Sequence, residues 1–489
     1  MKSKKHLSKL SMDKSILFDK MDEYKVHDIR WKEGRAFSLV FYGGEELSDI
    51  TKTAYNKFFT ENALNPSAFP SLKNFENEVV SMVSNHLKGG DDVVGNMTSG
   101  GTESILMAVK TAREWAKKNK PDVKIPEMIM PISAHPAFNK ACHYFGIKLV
   151  PAKLDSNYRV DLEDIKTKIN ANTILLVGSA PNYPYGVIDP IKNLSELAIE
   201  NNLLLHVDGC VGGFVLPFLE KLGKSVPKFC FDLEGVTSLS VDLHKYAYAA
   251  KGASVILYKN KELRRHQFFV TTDWPGGLYG SPTVLGTRPG GAIAAAWAIL
   301  NFLGEEGYLK LIGEIEETTK EFIKRIKEID DIKLVVEPAM SVLSIKSDTI
   351  DIFEVNDVLQ QRGWHLDGQQ SPDSIHFTIT HAHGAIIDEF FKDLQDAVEI
   401  ARKLNTKLSG IKSGFQKTLL KSMPSKMVSK IIDKESQKVG TEDERTGKMA
   451  PMYGMMASIK NNEDKEMMVL NALDNLFSAK KNFKVGESL

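Results

Sequence analysis

Cysteine is scarce in this chain. Three occur in 489 residues, Cys142, Cys210 and Cys230, and no CxxC pair is among them. An odd count at such spacings argues against a disulfide framework and against a thiolate-built zinc site. It suits a reducing compartment, so a cytoplasmic location and no metal are expected. An excess of one charge is also missing, since 63 lysines and arginines balance 63 aspartates and glutamates. No net basic field is left over to recruit nucleic acid or an anionic surface. Long apolar runs are lacking too. The longest, GGAIAAAWAILNFLG at 290–304, falls short of the ~20 residues that a spanning helix requires and reads as a buried helix. The basic start, MKSKKHLSKLSMDKS, continues into ILFDKMDEYKVHD without the apolar centre of a signal peptide. No internal repeat is present.

What is there suffices for a large core, with 42% hydrophobic residues. Between about 90 and 300, apolar strand-like runs alternate with amphipathic helices. MIMPI, KLVPAKL, TILLVGSA, LLLHVDG, SLSVDL and ASVILY are the strands; TESILMAVKTAREWAKKN and PIKNLSELAIENN are helices between them. Such alternation predicts an α/β domain with a mostly parallel sheet covered on both faces. Ligands gather at the carboxyl ends of its strands. After about 305 a long charged helix leads into the short runs KLVVE, SVLSIKS and IHFTIT, which read as a smaller α+β domain. The expected division is an N-terminal arm (1–70), a large domain (71–305) and a small C-terminal domain (306–489). Within the last, residues 405–448 are lysine- and serine-rich and read as a loosely packed segment.

Three segments carry chemistry. MTSGGTES at 97–104 opens a helix, where small residues and free amides suit a phosphate, with Thr102 and Ser104 as further hydroxyl donors. Gly-Gly before a helix is as often an ordinary turn. LLLHVDGCVGG places Asp208 at the end of an apolar strand, where a carboxylate is costly without a partner. It is either a cap or one half of an ion pair. SVDLHKYAYAAKG puts His244 and Lys245 at the end of a later strand, with Lys251 beyond. Desolvation should depress the pKa of such a lysine and free its amine for attack on a carbonyl. A surface turn is the plainer reading of Lys245 alone. Together the three are the parts of a pyridoxal phosphate site: a phosphate cradle, a partner for the ring nitrogen and a lysine for the aldehyde. His135, in SAHPAFNKA, is placed to stack on the ring.

With those residues in view, the chain resembles the sphingosine-1-phosphate lyases, fold-type I pyridoxal phosphate enzymes of the group II decarboxylase type. NMTSGGTESILMA, SAHPAFNKA, GVIDPI, LHVDGCVGGF, HKYAYAAKGASVILY, TTDWPGGLYGSPTVLGTRPGG and MYGMM carry the resemblance, from about residue 30 to 460. It implies that Lys245 bonds to the cofactor aldehyde, His135 stacks on the ring and Asp208 pairs with its nitrogen. Ser99, Gly100, Gly101, Thr102 and His244 would surround the phosphate, with Thr287 supplied by the second subunit of a homodimer. Lys251 would bind a substrate phosphate and Tyr453 would cover the site. The implied reaction is retro-aldol cleavage of a phosphorylated long-chain base to a fatty aldehyde and phosphoethanolamine. The membrane span of the eukaryotic members has no counterpart here, so the soluble bacterial type is expected.

The arm departs from the family pattern. Phe41 in VFYGGEE stands where a tyrosine is usual, with Tyr42 adjacent, and Asn65 in ENALNPSAFP stands for a histidine. Leu243 replaces a polar residue. Phenylalanine moves no proton, and asparagine has no pKa near neutrality. The substrate side is therefore expected to differ more than the cofactor side. An amino-acid decarboxylase, with Arg288 as its carboxylate-binding cation, is the second enzymatic reading; a catalytically altered relative with another amine substrate is a third. A binding protein without catalysis is disfavoured by Lys245, Asp208 and His135.

Overall fold

The computed structural model describes Leu7, residues 11–408 and residues 462–477. Its central sheet has seven strands: Val94–Thr98 (β1), Glu127–Pro131 (β2), Lys148–Ala152 (β3), Thr173–Ser179 (β4), Leu204–Asp208 (β5), Ser238–Asp242 (β6) and Ser254–Tyr258 (β7). They lie in the order β1-β7-β6-β5-β4-β2-β3. β7 runs against both neighbours, and all other pairings are parallel. The sheet is thus mostly parallel, as the strand–helix alternation predicts and as the resemblance to fold-type I enzymes implies.

Period-2 alternation makes this sheet the wall between two cores. Leu176, Leu205, Val207, Leu239, Val255 and Leu257 enter one core; Leu175, Val177, Leu204, Ile256 and Tyr258 enter the other. Every residue of β4, β5, β6 and β7 is buried, as a sheet covered on both faces requires. The helices Gly101–Asn119 and Ala137–Phe145 bury apolar stripes on the second core, and Ile191–Glu200 on the first. β1 was not legible as a strand. It contains Gly95, and a Cβ there would meet the Ile256 carbonyl oxygen at 2.3 Å. Close approach to β7 thus demands a residue that weakens the strand pattern.

A hairpin, Phe269–Thr271 (β8) with Tyr279–Ser281 (β9), precedes the long helix Gly290–Lys327. That helix breaks at Gly304, whose φ of 54° no helix contains. Tyr308, Leu311, Ile312 and Ile315, past the break, still pack in the first core, whereas Phe322 and Ile326 enter a third. This last core lies on an antiparallel sheet of Lys333–Leu334 (β10), Val342–Lys346 (β11), Asp367–Gln369 (β12) and Ser374–Thr378 (β13), ordered β10-β11-β13-β12.

The N-terminal segment joins both ends of the molecule. Phe37 is fully buried in the third core and stacks on His383 at 4.2 Å between ring centroids. The helix Glu45–Lys57 packs on the start of the helix Gly290–Lys327. Of the segment 405–448, residues 405–408 finish the helix Ile387–Leu408, and the rest lies outside the described residues, as does Tyr453. Among the described residues, no helix is long and apolar enough to cross a membrane.

Candidate active site

β1, β5 and β6 run parallel, so their carboxyl ends open on one side of the sheet. β1 ends at Thr98 and passes through Ser99 and Gly100 into the helix that starts at Gly101. β5 ends at Asp208, and β6 at Asp242, three residues before Lys245. Between them lies a cavity of about 340 Å³. Ser99, Gly100, Gly101, Thr102, His135, Asp208, His244 and Lys245 all line it. Thr287 does not line it in this chain, and its side chain is exposed. Glu103, Ile105, Cys210 and Asp242 line it too, and none of them was assigned to the site from the sequence.

Asp242 changes the reading of Lys245. Its Oδ2 lies 2.8 Å from Lys245 Nζ and 3.6 Å from His244 Nε2. Burial draws the Lys245 pKa down, but the charge of Asp242, with Cys210 and Asp208 beyond, outweighs it, and the balance lies above the ordinary lysine value. The depressed amine expected from burial alone is therefore not found at Lys245. It is found at Lys251, where burial and the neighbouring Lys245 charge both push the pKa down. Asp242 itself stays ionised below the ordinary aspartate value. Burial opposes this, but Lys245 and His244 prevail. His244 is lowered by burial, with Asp242 opposing.

The helix start is held open by Glu103. Its Oε2 accepts the Ser99 N–H at 2.6 Å, and its Oε1 accepts the N–H groups of Val284 and Leu285 at 2.8 and 3.2 Å. The first-turn amides of such a helix remain free for an anion. Ser104 is not among the donors. It is fully buried and bonded to Thr98 Oγ1 at 2.6 Å and Ser254 Oγ at 2.9 Å. His135 accepts the Ala137 N–H on Nδ1 at 3.1 Å, which leaves its proton on Nε2.

A second cavity, of about 350 Å³, shares His244 with the first and includes Phe41, Tyr42 and Lys251 in its lining. Lys251 Nζ donates to the carbonyls of Leu39 (3.0 Å) and His244 (3.2 Å) and lies 5.4 Å from the Phe41 ring centre. Phe41 meets Tyr246 edge-on at 4.8 Å, while Tyr42 turns to Trp31. Tyr42 lines the same cavity, and its hydroxyl is engaged with Glu45. Asn65 lines neither cavity. It is exposed, and its Oδ1 accepts the Ser67 N–H in a turn.

The pyridoxal-dependent decarboxylase conserved domain matches residues 46–347. A sphingosine-1-phosphate lyase of Arabidopsis thaliana is 44% identical over 79% of this chain and 72% of its own. An L-aspartate/L-glutamate decarboxylase of Pyrococcus horikoshii is 36% identical over 80% of this chain and 99% of its own. The solved sphingosine-1-phosphate lyase of Burkholderia pseudomallei superimposes with a TM-score of 0.79 at 39% identity, covering 85% of this chain and 96% of that one. The chain belongs to the sphingosine-1-phosphate lyase family of pyridoxal-dependent enzymes.

The first cavity fits the cofactor of that family. A buried carboxylate oxygen, Asp242 Oδ1, has no hydrogen-bond partner among the described residues. Gly101 lies so close that a Cβ would sit 2.8 Å from both Asp242 oxygens and from Cys210 Sγ. A helix start, an amine and a strand-end carboxylate surround this space, as an anionic pyridine aldehyde requires. Arg288 plays no part there. Its Nη1 is ion-paired to the buried Glu76 at 2.6 Å, so the cation considered for a substrate carboxylate is already taken. Its partner, 212 positions away, carries no local signal in the sequence.

Proposed function

We propose that this lyase-family chain cleaves the carbon–carbon bond of a phosphorylated long-chain amino alcohol of the sphingosine-1-phosphate type, giving a fatty aldehyde and phosphoethanolamine. One observation carries the reading: Lys251, whose Nζ donates to the His244 carbonyl on the wall that the two cavities share, stands in an aromatic-lined space beside the cofactor cavity. Pyridoxal phosphate, when bound, supplies an electron sink for the carbon from which the aldehyde departs. Lys245 is the residue that would bond the cofactor aldehyde, and Asp242 the carboxylate that holds its ammonium in place beforehand. Asp208 would pair with the ring nitrogen and His135 would stack on the ring. Ser99, Gly100, Gly101, Thr102 and His244 would hold the phosphate.

The substrate side follows from the second cavity. Its apolar wall excludes water from the bond to be broken, and Lys251 holds the phosphate end against it. Phe41 has no proton to exchange, and His244 is the titratable group that lines both cavities. We infer that two copies complete the site. Phe269, Val270, Trp274, Leu278, Val284 and Leu285 are exposed around the hairpin that leads to Thr287. A second chain would cover them and bring Thr287 to its own cavity. All three cysteines are free and buried, which accords with a cytoplasmic location.

Two measurements test the reading. Purified protein given pyridoxal phosphate should absorb near the visible–ultraviolet boundary, and Lys245→Ala should lose that band. Product analysis then decides the reaction. Fatty aldehyde from a phosphorylated long-chain base supports the lyase. Carbon dioxide from aspartate or glutamate, without aldehyde, replaces it with the decarboxylase.

A further inference from the structure

Beneath Asp208 runs a buried polar chain that the cleavage chemistry has not used. His206, two residues earlier on β5, is 0% exposed. Its Nδ1 lies 2.9 Å from Ser238 Oγ and its Nε2 lies 3.2 Å from Ser240 Oγ. Ser240, also 0% exposed, reaches Asp208 Oδ1 at 3.4 Å, and the Cys210 thiol reaches the same hydroxyl at 3.3 Å. Strand register explains the convergence. β5 and β6 are parallel neighbours with His206 opposite Ser238 and Asp208 opposite Ser240, so alternate residues share one face.

Valence sets the direction of every proton. A carboxylate only accepts, so Ser240 donates to Asp208. A hydroxyl has one proton, so His206 Nε2 and the Cys210 thiol must both donate to Ser240. His206 then accepts from Ser238 on Nδ1. Burial keeps this imidazole neutral, with its pKa pushed down to about 4, and a neutral ring is the one state that gives on Nε2 and accepts on Nδ1. Oδ1 of Asp208 also takes the Cys210 N–H at 3.0 Å. Oδ2 is left for the cavity.

We propose that His206 and Ser240 are positioning residues, which act through Asp208 Oδ1 to aim Oδ2 at the cofactor ring nitrogen and to set its strength as an acceptor. The proposal rests on Asp208 being the partner of that nitrogen. A donor chain ending on a buried carboxylate polarises along its length, so a change two bonds away reaches the ring.

The experiment uses full-length protein loaded with pyridoxal phosphate. Glutamine at 206 carries its amide to the place of Nε2, whereas asparagine reaches only that of Nδ1. His206→Gln should keep the wild-type absorption bands and cofactor retention. His206→Asn should shift the bands and weaken retention about fivefold, the scale of one hydrogen bond between neutral groups. Ser240→Ala should do the same, and it serves if His206→Asn fails to fold. Adding His206→Asn to Ser240→Ala should change nothing further. Equal behaviour of the asparagine and glutamine variants overturns the proposal, as does a lower Tm with unmoved bands in Ser240→Ala. Asp208→Asn separates the two levels. If it leaves the bands unmoved, Asp208 is not the ring partner; if it moves them and Ser240→Ala does not, the relay alone fails.

Discussion

Lys245 Nζ and Asp242 Oδ2 form a 2.8 Å ion pair in which the carboxylate is 3% exposed and the amine 24%. The pair holds the lysine pKa above its ordinary value although burial draws it down. Cofactor binding at Lys245 would have to displace this ion pair, which Asp242 holds in its charged form.

Asp242→Asn should lower the Tm of the cofactor-free protein at pH 7, with a loss of about 3 kcal/mol for breaking a buried pair. The Lys245 pKa is raised, so its contribution is complete below the unfolded value of about 10.5 and fades as pH climbs through the folded one. The Asp242 pKa is lowered, so its contribution is complete above about 3.8 and fades as pH falls below that. Thermal unfolding across pH checks this. The gap between wild type and variant should be widest between those limits and narrow outside them. A gap that does not vary with pH would rule out the ion pair as its cause.

Thr102 and Ser104 should part company. Helical residues turn by about 100° each, so positions two apart point in nearly opposite directions. Thr102 faces the cavity; Ser104 faces Thr98 and Ser254. Ser104→Ala should cost about 1 kcal/mol of stability and leave cofactor affinity within twofold of wild type. Thr102→Ala should loosen the cofactor several-fold with little change in Tm. Calorimetry and a cofactor titration distinguish them, and a looser cofactor in Ser104→Ala would contradict the assignment.

The same geometry shows what could be read in advance. β4 to β7 were legible because a strand buried on both faces needs a continuous apolar run. The glycines before residue 102 marked the helix start. Asp208 stood out as a charge ending such a run. Asp242 ends one too, but it was read as part of the strand, and desolvation of Lys245 was weighed without it. An acid three residues before a strand-end lysine was the available signal. Ser104 was misjudged by reading hydroxyls in sequence rather than around a helix. Arg288 and Glu76 could not be paired in advance, because their contact depends on how the chain returns to itself.

Arg288 and Glu76 should behave as structure rather than specificity. Both side chains are buried, and Glu76 also accepts the Met97 N–H at 3.0 Å. Glu76→Gln strands a buried guanidinium, and Arg288→Met strands a carboxylate. Each should lower stability by about 3–5 kcal/mol. Neither should favour aspartate or glutamate over a phosphorylated amine. Unfolding curves and a substrate panel check both points. A gain of carboxylate substrates in Glu76→Gln, which frees the cation, would show that Arg288 was held from that role only by its partner.

Lys251 should trade stability for binding. Its ammonium sits between two carbonyls and the Phe41 ring, and burial pushes its pKa down. The folded protein therefore binds fewer protons there than the unfolded chain once pH exceeds the folded value. From that pH up to about 10.5 the residue makes stability rise with pH, and below it the full cost of the buried charge persists. Lys251→Met removes this cost, so Tm at pH 7 should hold or rise. The same change should raise KM for a phosphorylated long-chain base at least tenfold and spare cofactor binding, since Lys251 lines only the second cavity. In wild type, KM should climb on the alkaline side as the ammonium discharges, earlier than for an ordinary lysine. Phe41→Tyr puts a hydroxyl near the same group and should lower KM or raise turnover. Unchanged kinetics in both variants would mean that the phosphate binds elsewhere, and that the second cavity is not the substrate's.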